Sequence, residues 1–434
     1  MKQLVIGALA LVAVYFSNGQ SINKIIKVKE VSRIEKALSD DAMEGRRTFT
    51  PGIEKASAFI ESEFKNIGLQ TFQGAANYRQ EFFMYKSATT AANIVIDGNT
   101  IPDSLVAAIS YQPHVSFTEK SGLEIVRINA ADKFGQKFYQ YYQSPNNLLV
   151  LVDTSFKSRA ATIKRFEKMV STPANNSVIF VFTNAAANTF SMDITNEVTK
   201  KSLNNVVGIL PGKSRPDEYV IFSGHYDHLG VGSPAEGMPH DNTDSIFNGA
   251  NDDAAGTTAV IMLAKYFKKL NNNERSIIFA TFVAEELGGY GSQYFSKQLD
   301  PDKVVAMFNI EMIGTESKWG KNSAYITGFE KSGMAPILQK NLAGSSFTFY
   351  PDPYTEQQLF YRSDNATLAR LGVPAHTIST SKMDTEPNYH KASDEIGTLD
   401  MDNMTAIIKS IALSSVSIVN GTDTPSRVDK SQLR

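Results

Sequence analysis

The run Tyr219-Val220-Ile221-Phe222-Ser223-Gly224-His225-Tyr226-Asp227-His228 decides the fold. Its first four residues are all apolar, with no polar alternation, which is how a strand covered on both faces reads. The strand runs straight into a glycine, two imidazoles and an acid. The same theme recurs twice. Ser276–Val283 leads into Ala284-Glu285-Glu286, and Val304–Ile310 leads into Glu311. Between the first two strands lies a predicted helix over 254–270, with Ala259, Met262, Leu263, Tyr266 and Phe267 at helical spacing. Asn205–Leu210 and Val373–Ser379 read as further strands. Tyr290–Lys297 and Met404–Val416 read as helices. Apolar strands alternating with helices predict an α/β fold: a mixed, mostly parallel sheet covered by helices on both faces.

In such sheets chemistry gathers just beyond the carboxyl ends of the strands. His225, the pair Glu285-Glu286 and Glu311 all fall there. Asn248-Gly249-Ala250-Asn251-Asp252-Asp253 opens the helix, and His390 sits in Asn388-Tyr389-His390-Lys391. Taken singly, each has an ordinary reading: a loop histidine, a solvated turn, a helix cap. Glu311, between Ile310 and Met312, is harder to explain as surface, because a buried acid needs a partner. Together the residues supply imidazoles and carboxylates from separate segments, the donor set of a zinc centre. Two ions about 3.5–4 Å apart repel, and a shared carboxylate both bridges and partly neutralises them. A non-ligating carboxylate beside them takes a proton from water, and an acid fixes the other nitrogen of a ligand histidine. Asp227, two residues past His225, is the candidate for that last role.

The remainder of the 434 residues narrows the class. The net charge is −2 with no long basic run, so no nucleic-acid partner is expected. Met1-Lys2, an apolar run from Leu4 to Phe16 and then Ser17-Asn18-Gly19-Gln20 read as an export signal over 1–20. The run is shorter than the roughly 20 residues of a bilayer span, and no other stretch reaches that length, so stable membrane insertion is not expected. The chain has no cysteine, which excludes disulfides, a thiol nucleophile and thiolate ligands. Residues 21–90 form two helices and the entry to the main domain. Residues 91–195, with strand-like runs such as Leu148–Val152 between Asn- and Ser-rich loops, read as an inserted β-rich lobe. Residues 196–434 form the core.

The order His-x-Asp, Gly-Ala-x-Asp, Glu-Glu, one acid after a strand, and Tyr-His resembles the zinc exopeptidases of metallopeptidase family 28. The resemblance covers 204–420 and extends to Glu44-Gly45-Arg46-Arg47 with Pro51-Gly52, to 244–250, and to Arg362-Ser363-Asp364. It implies a zinc-exopeptidase-like, phosphorylase/hydrolase-like fold. It also implies an exported (periplasmic or secreted) aminopeptidase with two Zn2+, acting on peptides with a free N-terminus. Asp252 would bridge the metals, His225 and Glu311 would complete one site, and Glu286 and His390 the other. Glu285 would be the general base, Asp227 the orienter of His225. The inserted lobe stands where many relatives carry a protease-associated domain. Glu311 departs from the pattern, since most aminopeptidase relatives have Asp there. Tyr361 lies near where some relatives place a tyrosine that stabilises the oxyanion.

Two related enzymes and one non-enzyme compete with this reading. Glutaminyl cyclases of the same fold carry Trp before the final ligand His, where this chain has Tyr389. A glutamate-releasing carboxypeptidase would want an arginine cluster, and here Arg362 stands alone. A binding protein that had lost catalysis would lack ligands, and none is missing.

Overall fold

A computed structural model describes residues 22–164, 169–232 and 244–433; the export-signal segment and His240 lie outside these. The chain folds into two compact units. One runs up to Glu81 and resumes at Leu203; the other is Phe82–Ser202. The long strands Arg79–Ile96 and Phe190–Leu210 carry the chain out of the first unit and back.

The first unit holds the sheet that the sequence predicts. Across it run Thr348–Pro351, Ser323–Ile326, Ala375–Ser379, Val304–Ile310, Arg215–His225, Arg275–Phe282 and the end of Phe190–Leu210. The four central strands, from Ala375–Ser379 to Arg275–Phe282, are mutually parallel, and antiparallel strands flank them. Nearly all of their residues are buried because helices cover them, and most of those residues are apolar. Phe222 stacks on Phe267 of one covering helix and on Phe279 and Phe308 of both neighbouring strands. Helices Ala255–Leu270 and Met401–Val419 are buried along much of their length. Pro51–Ile67 opens on Pro and closes at Gly68 in the left-handed conformation, a standard helix start and stop. Two short strands, Ser323–Ile326 and Thr348–Pro351, and the helix Met334–Leu342 add to the predicted elements.

The register sets the site. His225 pairs with Phe282, and Ser223 pairs with Asn309. Continued two residues, the second pairing brings Glu311 level with His225, while Glu285 lies three residues beyond Phe282. All three leave the sheet at one edge.

The second unit is not purely β. Its four-stranded sheet, in the order Val106–Ser110, Ser177–Phe182, Leu148–Val152 and Glu124–Ile128, has parallel pairings between the last three and packs with helices Phe134–Tyr142 and Ala160–Lys164. Phe138 of the first helix meets Phe180 of the sheet. The lobe is β-rich, as the sequence predicts, with two short helices added. Phe134–Tyr142 is rich in aromatic residues, which favour strands, and packing overrides that preference.

Candidate metal centre

Asp252 stands at the middle. It lies in the turn Ala250–Ala254 that feeds helix Ala255–Leu270, is 2% exposed, and its peptide bond to Asp253 is cis. Its Oδ1 lies 3.2 Å from His225 Nε2, and its Oδ2 lies 3.3 Å from His390 Nε2. One carboxylate thus presents an oxygen to each of two imidazoles that are distant in the sequence. His225, Asp252 and Glu311 converge with ligand atoms within 4.8 Å of one another, and so do His228, Asp252 and Glu286. His390 Nε2 lies 3.2 Å from Glu286 Oε2. Around a tetrahedral zinc with bonds of about 2.0–2.2 Å, neighbouring ligand atoms stand roughly 3.3–3.5 Å apart. The His225–Asp252, His390–Asp252 and His390–Glu286 separations fall close to that edge. Buried His225 Nε2 and Glu311 Oε2 make no hydrogen bond. The donor types, their spacing and the unpaired buried atoms fit a zinc centre.

Electrostatics point the same way. Burial works against the charged form of His225, yet Asp227, Asp252 and nearby acids hold its pKa well above the ordinary value. His390 is raised to about 10 against its burial by Asp252 and Glu286. Burial and Asp252 push Glu286 up, but hydrogen bonds from His228 and His390 bring it down to about 2. Burial raises Glu311 to about 7. Burial also pushes Glu285 well above the usual carboxylate range; His225 opposes that shift, while Glu311, Asp364 and Glu286 add to it. Glu285 lines the cleft beside Asp252 and Glu311.

Asp227 sits differently from the sequence expectation. His225 Nδ1 meets the backbone carbonyl of Asp227 at 3.0 Å, while the carboxylate is 3.7 Å away. That carboxylate instead accepts the backbone N–H groups of Glu285 and Glu286, at 3.0 and 3.4 Å, and the Thr48 hydroxyl at 3.2 Å. Tyr361 is a second difference. It packs against the core cluster containing Phe360 and Leu368 and is not among the residues lining the cleft, so its position gives no support to an oxyanion role. Tyr389 lines the cleft and stacks on His390, centroids 4.0 Å apart. His376 is fully buried, bonded to Ser332 and the Thr327 carbonyl, and is structural. His114 is on the surface beside Asp193.

Several residues that hold the centre were not singled out in the sequence. Asp253 accepts the N–H groups of His225, Gly256 and Met312, tying three loops. Asp394, four residues after His390, accepts those of Asn251 and Asp252. Buried Arg46 donates to the carbonyls of Leu38, Tyr226, Asn248 and Gly249. Gly256 is required by close approach, because a Cβ there would lie 2.0 Å from the Ile310 carbonyl oxygen. Acid-rich spacing hinted at Asp253. The stretch Glu44-Gly45-Arg46-Arg47 marked Arg46 without giving it a role, and nothing local marks Asp394, whose partners are remote in sequence.

Residues 205–414, which carry all five proposed ligands, match the model of peptidase family M28. This segment is a peptidase family M28 domain. The chain is 27% identical over 213 residues to a probable leucine aminopeptidase of Trichophyton verrucosum (strain HKI 0517), covering 46% of this chain and 53% of that protein. Against aminopeptidase YwaD of Bacillus subtilis (strain 168) it is 24% identical over 214 residues, covering 48% and 42%. The chain thus spans about half the length of the curated relatives it matches. The fold is that of a solved aminopeptidase from Aneurinibacillus sp. strain AM-1, with TM-score 0.54, 17% identity, and 95% and 97% of the two chains covered.

Proposed function

We propose that the chain is a two-zinc aminopeptidase acting on peptides with a free N-terminus. The observation that carries the reading is Asp252, whose two oxygens face His225 and His390 separately. His225, Glu311 and Asp252 would hold one ion, and Glu286, His390 and Asp252 the other. When bound, the pair supplies Lewis acidity, lowering the pKa of water and offsetting negative charge that develops on the scissile carbonyl. Glu285 accepts the proton of the attacking water and returns it to the leaving amine. Its desolvated carboxyl is well suited to that exchange, because a base with a raised pKa is a better proton acceptor. Asp227 holds Glu285 and Glu286 in place through their backbone. The cleft is lined by Asp252, Glu285 and Glu311, and the free N-terminus of a peptide would enter beside them. Tyr325, Thr327, Leu359 and Met383 line the same cleft and would meet the N-terminal side chain.

Residues 1–20 read as an export signal, so the enzyme is proposed to work outside the cytoplasm. Among the described residues no helix is long and apolar enough to cross a membrane. The inserted unit is proposed as a divergent protease-associated domain.

The test is Glu285→Gln assayed on aminoacyl-anilides, with zinc content measured in parallel. We expect two zinc ions per chain and activity reduced by about 10²–10⁴-fold. A zinc-loaded variant cleaving at the wild-type rate would overturn the reading. An N-terminal Gln peptide in the panel tests cyclisation.

A further inference from the structure

The second half of the centre has two imidazoles within reach, His390 and His228, and they are placed differently. His390 Nε2 stands 3.3 and 3.2 Å from Asp252 Oδ2 and Glu286 Oε2, both close to a tetrahedral ligand edge. His228 Nδ1 stands 2.8 Å from Glu286 Oε1 and 4.0 Å from Asp252 Oδ2. The first of these is a hydrogen bond, too short for two ligands side by side, and the second is too long for a shared ion. His228 therefore addresses the oxygen of Glu286 turned away from His390.

The ring has no freedom to leave that position. His228 is 1% exposed, and its backbone N–H bonds the Arg46 carbonyl at 3.3 Å. Gly249, with φ of +53°, leaves room for the ring; a Cβ there would lie 2.5 Å from two of its carbons. Nε2 is buried without a hydrogen-bond partner. An ionised carboxylate can only accept, so Nδ1 carries the proton of this hydrogen bond.

Resting on the two-zinc reading, we propose that His228 is a positioning residue for Glu286. Its Nδ1–H holds one carboxylate oxygen so that the other is aimed at the ion shared with His390 and Asp252. It acts on metal affinity at that half of the centre, through Glu286, and is not itself a ligand.

The experiment is a zinc titration of the full chain by chelator competition, reading the affinity of each equivalent, with thermal melting of the metal-free protein alongside. His228→Ala should leave the first equivalent unchanged and weaken the second by about 10–100-fold, the usual cost of losing a residue that orients a ligand. His228→Asn places an amide N–H where Nδ1–H stands and should restore most of the loss. His228→Gln places it near Nε2 and should not, so the Asn–Gln contrast carries the test even if the alanine variant fails to fold. In a Glu286→Ala background, His228→Ala should add no further loss. Unchanged affinity for the second equivalent in His228→Gln, or an equal loss with and without Glu286, overturns the proposal. A wild-type chain that takes up no zinc overturns the two-zinc reading itself. Two equivalents in wild type with no effect of His228 overturn only this inference.

Discussion

The carboxylate of Asp227 accepts the backbone N–H of Glu285 at 3.0 Å, so the loop that bears His225 fixes the loop that bears the proposed base. The same carboxylate, wholly buried, also takes the Glu286 N–H and the Thr48 hydroxyl. Asp227→Asn replaces one accepting oxygen with a donor facing another donor. Stability should fall by about 1.5–3 kcal/mol, the range for a hydrogen bond to a charged group. Activity should fall further than stability alone explains, through kcat with little change in KM. Denaturant unfolding and steady-state kinetics on the zinc-loaded variant check this; unchanged kcat would refute it.

Arg46 bonds four carbonyls, two of them in Asn248-Gly249 just ahead of Asp252. Lysine offers a point charge without the planar fork and cannot reach all four. Arg46→Lys should therefore cost at least about 3 kcal/mol, given about 1.5–3 kcal/mol for each charged hydrogen bond lost. A urea midpoint equal to wild type would show that the loops hold without it.

Glu311 has an unpaired buried oxygen, Oε2, and lies level with His225 in the sheet. Glu311→Ala should lose the zinc held with His225 while the His390 half still fills. Glu311→Asp, shorter by about 1.5 Å, should retain that ion more weakly. Zinc stoichiometry after dialysis against graded chelator is the measurement; two tightly held ions in the alanine variant would exclude Glu311 as a ligand.

His376 is buried and neutral. Burial lowers its pKa from 6.5 to about 4, against a hydrogen bond to the Thr327 carbonyl. Between those values the unfolded chain binds a proton that the folded chain does not. Its contribution to stability is therefore intact above pH 6.5 and is lost as pH falls toward 4, by up to about 3 kcal/mol. The metal-free His376→Gln variant should lose less stability than wild type between pH 7 and pH 4.5. Equal losses would mean that other groups govern acid unfolding.

The sequence displays what repeats locally. Apolar strands ending in His225, Glu285-Glu286 and Glu311 reveal both the parallel sheet and the edge where these residues leave it. Strand Val304–Ile310 has the predicted bounds, and helix Ala255–Leu270 differs by one residue. Less is legible where four residues make a strand, as in Ser323–Ile326 and Thr348–Pro351, because so short a run shows no period. At the centre, neighbours in sequence diverge. Tyr361 turns to the core while Tyr389 faces the cleft, and the Asp227 carbonyl, not its side chain, meets His225. Such choices depend on chain segments more than a hundred residues apart, as with Asp394 and the Asp252 turn.

The five proposed ligands come from segments that meet at one sheet edge only when the parallel strands are in register. Contacts this distant in sequence close late, since each long loop must be closed before it is rewarded. Tight zinc uptake therefore cannot precede strand assembly, and in a refolding experiment it should serve as a clock for the final global step. By the same logic, a fragment ending before His390 would carry most of the donors and still bind the ion as weakly as a disordered peptide.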